Sequence, residues 1–232
     1  MRRVAPLALL ALLAACSVAP PSTVQGMQMF GVWKVFVFAG IAVYAIVSAL
    51  ILWSSLAYLR RDPDIKQARS TVYKNLKLEL TWTIIPVLIV IGLFVKTYIV
   101  EAQVETIKSN PQQVVNVVAY RWSWRFTYPR YKIVVDGSPQ AVPTLVLPVN
   151  ETTRINLTSS DVIHSFLVPA FIFKRDANPG TTNVFDLKPN RLGTFPSRCA
   201  EYCGTYHAIM DFNVRVVSQA DYERWISKGG KT

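Results

Sequence analysis

The chain has 232 residues, of which 51% are hydrophobic and only 17% charged, and its formal net charge is +11. This composition is too apolar for an ordinary soluble domain and excludes an intrinsically disordered chain. A basic excess is typical of nucleic-acid binding or of a membrane protein. Residues 1–100 carry +7 and residues 101–232 carry +4, so most of the excess lies in the more apolar half of the chain, which favours a membrane protein.

The first sixteen residues have the layout of a secretory signal: two arginines, a short apolar run and small residues before Cys16. Residues 13–16 resemble a bacterial lipobox, in which cleavage leaves the cysteine as a lipid-modified N-terminus. The sequence therefore predicts a signal peptide over residues 1–15 and a lipidated Cys16. The alternative is an uncleaved signal anchor with an incidental cysteine.

Two transmembrane helices are predicted, over about residues 33–59 and 80–100. Residues 35–59 contain no charge, and as a helix they would reach roughly 37 Å, enough to cross a bilayer. In the second span, Lys96 lies near one end, where its side chain can reach the interface, and Pro86 is tolerated better than in a soluble helix.

The connection between the spans decides the topology. Residues 60–79 hold six basic side chains against three acidic ones, which indicates a cytoplasmic loop. The N-terminus and everything after residue 100 then lie outside the plasma membrane of a bacterium, as the lipobox also requires. The basic cluster is thus a topology signal, and nucleic acid is not expected as a partner.

Glu79 stands at the cytoplasmic start of the second span. Taken alone, it is either a solvated flanking carboxylate or a proton acceptor at a channel mouth.

Residues 105–232 are predicted to form a β-sandwich or Greek-key barrel, because short apolar runs alternate with turn signals. Residues 120–128 alternate aromatic and polar side chains with a period of two, as in a strand. Further predicted strands cover residues 114–118, 132–135, 144–147, 154–157, 183–187 and 212–217, and a short amphipathic helix covers 220–232.

The chemistry is concentrated in residues 199–210, which read C-x3-C-x3-H-x2-M through Cys199, Cys203, His207 and Met210. The other histidine of the chain is His164. Thiolate, imidazole and thioether ligands together favour copper, and two thiolates can bridge two copper ions. Each ion would then take one histidine, with Met210 as one axial ligand and a backbone carbonyl as another candidate.

Three alternatives to copper remain at this site. Zinc rarely uses methionine. A disulfide between Cys199 and Cys203 is feasible outside the cytoplasm, but it leaves the neighbouring histidine and methionine unexplained. The third is a packed Met210 beside a hydrogen-bonded His207.

Taken together, these features resemble subunit II of the haem–copper cytochrome c oxidases over nearly the whole chain: signal, two spans, aromatic run, residues 164–166 and copper loop. The resemblance implies a membrane-anchored all-β protein, with a two-helix transmembrane hairpin followed by a cupredoxin-like Greek-key β-sandwich that carries a dinuclear CuA centre. The implied domains are residues 1–15, 16–104 and 105–232. Its copper ligands would be His164, Cys199, Cys203, His207 and Met210.

The resemblance also implies roles for three other residues. Glu201 would give its backbone carbonyl to copper, while its side chain would face subunit I, where the family binds magnesium. Residues 79–86 are similar to the start of the family's second helix, which makes Glu79 a candidate for proton uptake. Residues 121–124 are similar to the family's aromatic cluster, so Trp122 would receive the electron. The alternative is plain sandwich core, since strict alternation puts Trp122 and Trp124 on one face.

The resemblance implies the electron-input subunit of a terminal oxidase, with subunit I, other oxidase subunits, membrane lipid and a c-type cytochrome as partners. The family docks basic cytochromes on an acidic face, yet this outer domain carries +4, so a membrane-attached cytochrome in a supercomplex fits better. A CuA subunit of a nitric oxide reductase and a membrane-anchored copper carrier or assembly protein are the alternative functions. Nitrous oxide reductase needs a further catalytic domain, and the quinol oxidase branch lacks these copper ligands.

Overall fold

The structure is a computed structural model that describes residues 20–59 and 74–231. The predicted signal peptide and Cys16 lie outside the described residues. Contacts divide the chain into two units, one formed by residues 31–104 and the other by residues 105–231 together with the described part of 1–30.

The described part of the first unit lies in two long helices, α1, which spans Val24–Leu59 and starts in the other unit, and α2, which spans Leu76–Val104. Each has a polar cap, because the Gly26 N–H donates to Thr23 Oγ1 at 3.0 Å and the Leu78 N–H donates to Asn75 Oδ1 at 3.2 Å. Both helices are long and apolar enough to cross a membrane, and their apolar side chains are mostly exposed.

The residues just before and within the first turn of α1 belong to the second unit. Ser22 and Thr23 are fully buried there. The Ser22 N–H donates to the Ala170 carbonyl at 2.8 Å, and the Ser22 carbonyl accepts from the Asn190 N–H at 3.0 Å. Residues 20–26 therefore form a strap, the N-terminal strap, that is hydrogen-bonded to the β-domain.

Within the described residues, ten strands form the β-domain as two five-stranded sheets. They are β1 (Gln113–Tyr120), β2 (Ser123–Tyr128), β3 (Ile133–Asp136), β4 (Thr144–Pro148), β5 (Thr153–Ser159), β6 (His164–Val168), β7 (Phe173–Ala177), β8 (Asn183–Leu187), β9 (Gly193–Cys199) and β10 (Asp211–Val217). One sheet has the order β3-β2-β1-β5-β8 and the other β4-β10-β9-β6-β7. Each sheet contains one parallel pair, β1 with β5 and β4 with β10.

Alternating burial explains the sandwich. In β5, every second residue from Thr153 to Ser159 is buried, so one face of the strand enters the core. The core is rich in aromatic rings, including Trp124, Phe126, Phe166 and Phe212, whose ring centroids lie 4.6–5.9 Å from their nearest partners. The final helix, α3 (Gln219–Ser227), is capped by Ser218 and buries Tyr222 and Trp225.

The predicted combination of two long apolar helices and a β-sandwich is confirmed. The prediction of one continuous strand over residues 120–128 is wrong, because β1 ends at Tyr120, Arg121 and Trp122 form a tight turn, and β2 starts at Ser123 opposite Tyr120. The alternation is interrupted at the turn, because Ala119 is buried in β1 and Trp124 lies opposite it and is buried in β2, so the buried positions change from odd to even numbers. Strands β6, β7 and β9 were not predicted.

Candidate metal centre

The sheet containing β6, β9 and β10 brings the predicted copper ligands together. His164 opens β6, Cys199 closes β9, and Met210 directly precedes β10. Strand β6 pairs with β9, with Phe166 opposite Cys199, and the Cys199 N–H donates to the Met210 carbonyl at 2.9 Å. Three ligand-bearing segments are thus fixed by one set of backbone hydrogen bonds.

The loop after β9 supplies the other two side chains, Cys203 and His207, the latter at the start of a short 3₁₀ helix over His207–Ile209. The Sγ atoms of Cys199 and Cys203 lie 3.9 Å apart, and both thiols are free. His164 Nδ1 lies 3.9 Å from Cys199 Sγ, and His207 Nδ1 lies 3.5 Å from Cys203 Sγ. The two sulfurs therefore lie between two imidazoles.

Met210 and Glu201 complete the cluster from two sides. The Met210 Sδ lies 3.8 Å from Cys203 Sγ. The Cys199 thiol donates to the Glu201 carbonyl at 3.3 Å, whereas the Glu201 carboxylate is half exposed and lies 3.8 Å from Lys174 Nζ. The carbonyl of Glu201 thus faces the sulfur cluster, and its carboxylate lies near Lys174.

The surroundings of the two thiols shift their pKa values in opposite directions. Burial raises the pKa of Cys199, but the hydrogen bonds from His164 and from backbone groups outweigh it and lower that pKa to about 7. Burial, followed by the charge of Cys199, raises the pKa of Cys203 to about 12. The charge of one thiolate opposes ionisation of the second, so a bound cation would favour ionisation of both sulfurs.

Asp161 holds His164 in place and was missed by the sequence reasoning. Its Oδ1 lies 2.9 Å from His164 Nε2 and accepts from the Val162 N–H at 2.7 Å, while its Oδ2 accepts from the Arg121 N–H at 2.7 Å. Burial raises the pKa of Asp161, but these hydrogen bonds lower it to about 2. The spacing D-x-x-H before His164 was the available signal, since a ligand imidazole usually has a carboxylate or carbonyl on its other nitrogen.

Trp122 lies over the loop between Cys203 and His207. Its indole N–H donates to the Cys203 carbonyl at 3.1 Å, and its ring meets the Tyr206 ring edge-on at 4.9 Å between centroids. Gly204 has φ +113°, and a side chain there would start 3.3 Å from the indole. Trp124, by contrast, is fully buried, so the two tryptophans do not share one face.

The remaining predicted site residues lie elsewhere. Glu79 is in the first turn of α2, where a carboxylate favours the positive end of the helix dipole, and it belongs to the helical unit. Cys16 lies outside the described residues.

Comparisons with known proteins show the family of this chain. Residues 139–217 match the family model described as cytochrome c oxidase subunit II, periplasmic domain. A probable cytochrome c oxidase subunit 2 of Streptomyces avermitilis is 33% identical, over 91% of this chain and 79% of its own length. Cytochrome c oxidase subunit 2 of Mycobacterium tuberculosis is 30% identical, over 86% of this chain and 71% of its own length.

Among solved structures, the periplasmic domain of subunit II of cytochrome oxidase of Bradyrhizobium japonicum is 30% identical, and the match covers 53% of this chain and 96% of that domain with a TM-score of 0.49. The two apolar helices and the periplasmic-domain match fit a two-pass membrane protein with an extracytoplasmic C-terminal domain. His164, Cys199 and Cys203 form a site compatible with copper. The chain belongs to the cytochrome c oxidase subunit 2 family, whose members are subunits of an oxidoreductase complex.

Proposed function

We propose that this chain is the electron-input subunit of a respiratory terminal oxidase. It takes single electrons from a c-type cytochrome at a dinuclear copper centre and passes them to haem in subunit I, where oxygen reduction is coupled to proton translocation. The observation that carries this proposal is the pair of free thiols, 3.9 Å apart, with an imidazole beside each.

The donor set fits copper in both softness and number. Cys199, Cys203, His164 and His207 would hold the copper ions, and the Met210 thioether and the Glu201 carbonyl would be weak ligands. A bound cation would favour ionisation of both thiols, because burial and the charge of Cys199 raise the pKa of Cys203. When bound, the two copper ions would supply a carrier for one electron at a time.

The protein contributes burial and rigidity to this carrier. His164, Cys199, Cys203 and Met210 are each at most 5% exposed, which keeps water away from the ligands. Strand pairing and the Asp161 hydrogen bonds fix the ligand positions, so the ligands need to move little when the charge changes.

Three further roles belong to the same proposal. Trp122 receives the electron from the donor, which is supported by its hydrogen bond to the Cys203 carbonyl. Glu79 takes up protons at the cytoplasmic end of α2. The Glu201 carboxylate binds magnesium at the interface with subunit I, and its half-exposed position is compatible with that role.

We also propose that the N-terminus lies outside the plasma membrane. The N-terminal strap is hydrogen-bonded to the β-domain through Ser22 and Thr23, so the start of α1 and the β-domain must lie on the same side. The proposed division into a signal peptide over residues 1–15, a segment over 16–104 and a copper domain over 105–232 places the lipidated Cys16 on that side as well. Because the strap is hydrogen-bonded to the β-domain, a shortened copper domain should keep residues 20–26 as well as 105–231 in order to fold.

The deciding experiment loads the full chain in detergent with copper and measures the copper content and the electron paramagnetic resonance spectrum. Two coppers per chain and a seven-line mixed-valence signal are expected. A blue mononuclear spectrum with one copper per chain would overturn the proposal. Met210→Leu should change the spectrum, whereas Met29→Leu, on the exposed surface of α1, should leave it unchanged.

Copurification with subunit I separates the oxidase from the other functions of copper-bearing relatives. The purified complex should consume oxygen with a small diffusible reductant. A complex that reduces nitric oxide but not oxygen would assign the chain to a nitric oxide reductase, and a chain that releases one labile Cu(I) would be a copper carrier.

A further inference from the structure

The final helix, α3, forms one wall of an open pocket of about 470 Å³ in the β-domain, the α3 pocket. Its other walls come from the start of β1, the 3₁₀ turn over Pro129–Tyr131 and the turn between β4 and β5. None of the candidate copper ligands is among the described residues that line it. The volume is that of a small-molecule site, so the polar groups in the wall decide what the pocket can bind.

The Tyr222 hydroxyl is a buried polar group of this wall that has no partner among the described residues. Tyr222 is 1% exposed, and its ring meets the Tyr131 ring edge-on with the centroids 6.3 Å apart. Burial, followed by Tyr131 and Glu151, raises the pKa of Tyr222, whereas Arg130 lowers it, so the hydroxyl lies close to the charged groups of the pocket. A buried hydroxyl without a partner costs free energy that a bound ligand can recover.

Three charged side chains line the same pocket, one of them basic and two acidic. Arg130, Glu151 and Glu223 take part in none of the ion pairs among the described residues. Neutral amides contact both carboxylates instead: Gln113 Nε2 donates to Glu151 at 3.2 Å, and Gln219 Nε2 donates to Glu223 at 3.0 Å. The pocket therefore offers charges of both signs that are not neutralised by a neighbour.

The wall opposite α3 is held in place by Gln113, which is 7% exposed. Its Oε1 accepts from the Tyr131 hydroxyl at 3.1 Å, while its Nε2 donates to Glu151. The Arg130 guanidinium lies over the Tyr131 ring, 5.7 Å from its centre. These contacts fix the carboxylate, the ring and the guanidinium relative to one another, so the pocket is formed before any ligand enters.

We propose that the α3 pocket binds a small zwitterion, a molecule that carries both an ammonium group and an acid group. The ammonium group binds at the carboxylates of Glu151 and Glu223, the acid group accepts from the Arg130 guanidinium, and the Tyr222 hydroxyl gains its missing hydrogen bond. A ligand with one charge leaves the groups that match the other charge without a partner, and a metal cation is repelled by Arg130. A free amino acid and the phosphoethanolamine headgroup of a lipid share this chemistry.

The first test is titration calorimetry of the full chain in detergent. The probes are glycine, β-alanine and γ-aminobutyrate, with propylamine and propionate as controls that carry one charge each. At least one of the three zwitterions should bind at least about tenfold more tightly than either control. Controls that bind as tightly as the zwitterions would overturn the proposal. So would the absence of binding by all five probes up to about 20 mM, because water alone would then serve the Tyr222 hydroxyl.

Phosphoethanolamine in the same titration separates the two sources of the ligand. Tighter binding than that of every amino acid supports a lipid headgroup as the natural ligand, and weaker binding than that of the best amino acid supports a free solute. Both results support a zwitterion site.

The second test uses Tyr222→Phe, Arg130→Gln and Glu223→Gln, and each variant should weaken binding of the best zwitterion about tenfold. Lys132→Gln and Asp136→Asn are the controls, because each removes one charge from an exposed residue outside the pocket. The controls should bind as the unmodified chain does. Pocket variants that all keep the original affinity would overturn the proposed site.

The outcome is independent of the copper chemistry. The copper spectrum should be the same in all five variants, since none of the candidate ligands is among the described residues that line the pocket. Denaturant titration without a probe identifies any variant that folds poorly, and Glu223→Gln, at an exposed position of α3, keeps the test decisive in that case. Failure to bind a zwitterion would overturn this proposal and leave the proposed function unaffected.

Discussion

The indole nitrogen of Trp122 lies 3.1 Å from the carbonyl oxygen of Cys203. This hydrogen bond joins the β1–β2 turn to the loop that carries Cys203 and His207, although the two residues are 81 positions apart in the chain. It places a half-buried aromatic ring directly against the backbone of a candidate copper ligand. An electron arriving at the indole is then one hydrogen bond from that backbone.

Replacing Trp122 by phenylalanine removes the N–H donor and keeps an aromatic ring beside Tyr206. We expect the rate of electron transfer from a cytochrome to fall about tenfold, which corresponds to an increase of about 1.4 kcal/mol in activation free energy. Stopped-flow reduction of the copper-loaded complex measures this, and the copper spectrum should be unchanged. Tyr120→Phe is the control on the same hairpin, because the Tyr120 hydroxyl bonds to Asp136 and Gly137 rather than to the copper loop. An equal loss in both variants would show that the hairpin, not the indole, is responsible.

The candidate copper ligands could be proposed from the sequence because cysteine, histidine and methionine are rare in this chain and four of the five candidates fall within twelve positions. The position of Trp122 was not predictable from the alternation, since Arg121 and Trp122 carry none of the glycine, asparagine or proline signals of a turn. Trp122 is half-buried, unlike the fully buried Trp124, because it lies in the turn at Arg121–Trp122 and not in a strand.

Strands β7 and β9 were missed because their sequences do not show the alternation that predicts a strand. The residues of β7 read FKRDA, and β9 contains Pro196 and Arg198, so neither shows an apolar period of two. Pairing with β6 and β10 overrides that weak local preference. Asp161 was missed because its D-x-x-H spacing is a weak signal, and only the fold shows that this carboxylate reaches the His164 imidazole.

Asp161→Asn should alter the site without removing a ligand. The carboxylate charge lies 2.9 Å from His164 Nε2, and an anion stabilises the oxidised, more positive state of the site. We therefore expect a higher reduction potential, measured by redox titration of the full complex, and a loss of about 1–2 kcal/mol in unfolding free energy. Asp136→Asn, which removes a carboxylate paired with Arg125 and away from the ligands, should leave the potential unchanged.

Glu79→Gln should separate proton uptake from electron input. If Glu79 accepts protons at the start of α2, the amide lowers steady-state oxygen consumption at least about tenfold, because it cannot be protonated and deprotonated. The rate at which a cytochrome reduces copper should stay the same. Glu101→Gln, an exposed residue near the other end of α2, is the matched control. Normal turnover in Glu79→Gln would remove the proposed role.

Removing the hydroxyl group should change the unfolding free energy differently at two buried tyrosines of the β-domain, Tyr128 and Tyr222. The Tyr128 hydroxyl donates to the Val146 carbonyl at 3.1 Å and accepts from the Val146 N–H at 2.8 Å, so Tyr128→Phe should cost about 2 kcal/mol of unfolding free energy. The Tyr222 hydroxyl is buried and has no hydrogen-bond partner among the described residues. Tyr222→Phe should therefore be neutral or more stable by up to about 1 kcal/mol in denaturant titrations of the full chain in detergent. A large destabilisation by Tyr222→Phe would show that its hydroxyl has a partner.

The same two tyrosines should make the fold sensitive to alkali. Burial is the main cause that raises the pKa of Tyr128 and that of Tyr222 above the ordinary value of 10.0. Above about pH 10 the unfolded chain releases these protons and the folded chain keeps them, so stability present at lower pH is lost as the pH rises. Each tyrosine should contribute a loss of about 1.4 kcal/mol per pH unit in that range. Denaturant titrations at several pH values above 10 measure the slope of unfolding free energy against pH. Tyr222→Phe should reduce this slope by the contribution of one tyrosine. Tyr120→Phe, at a half-buried position, should reduce it less.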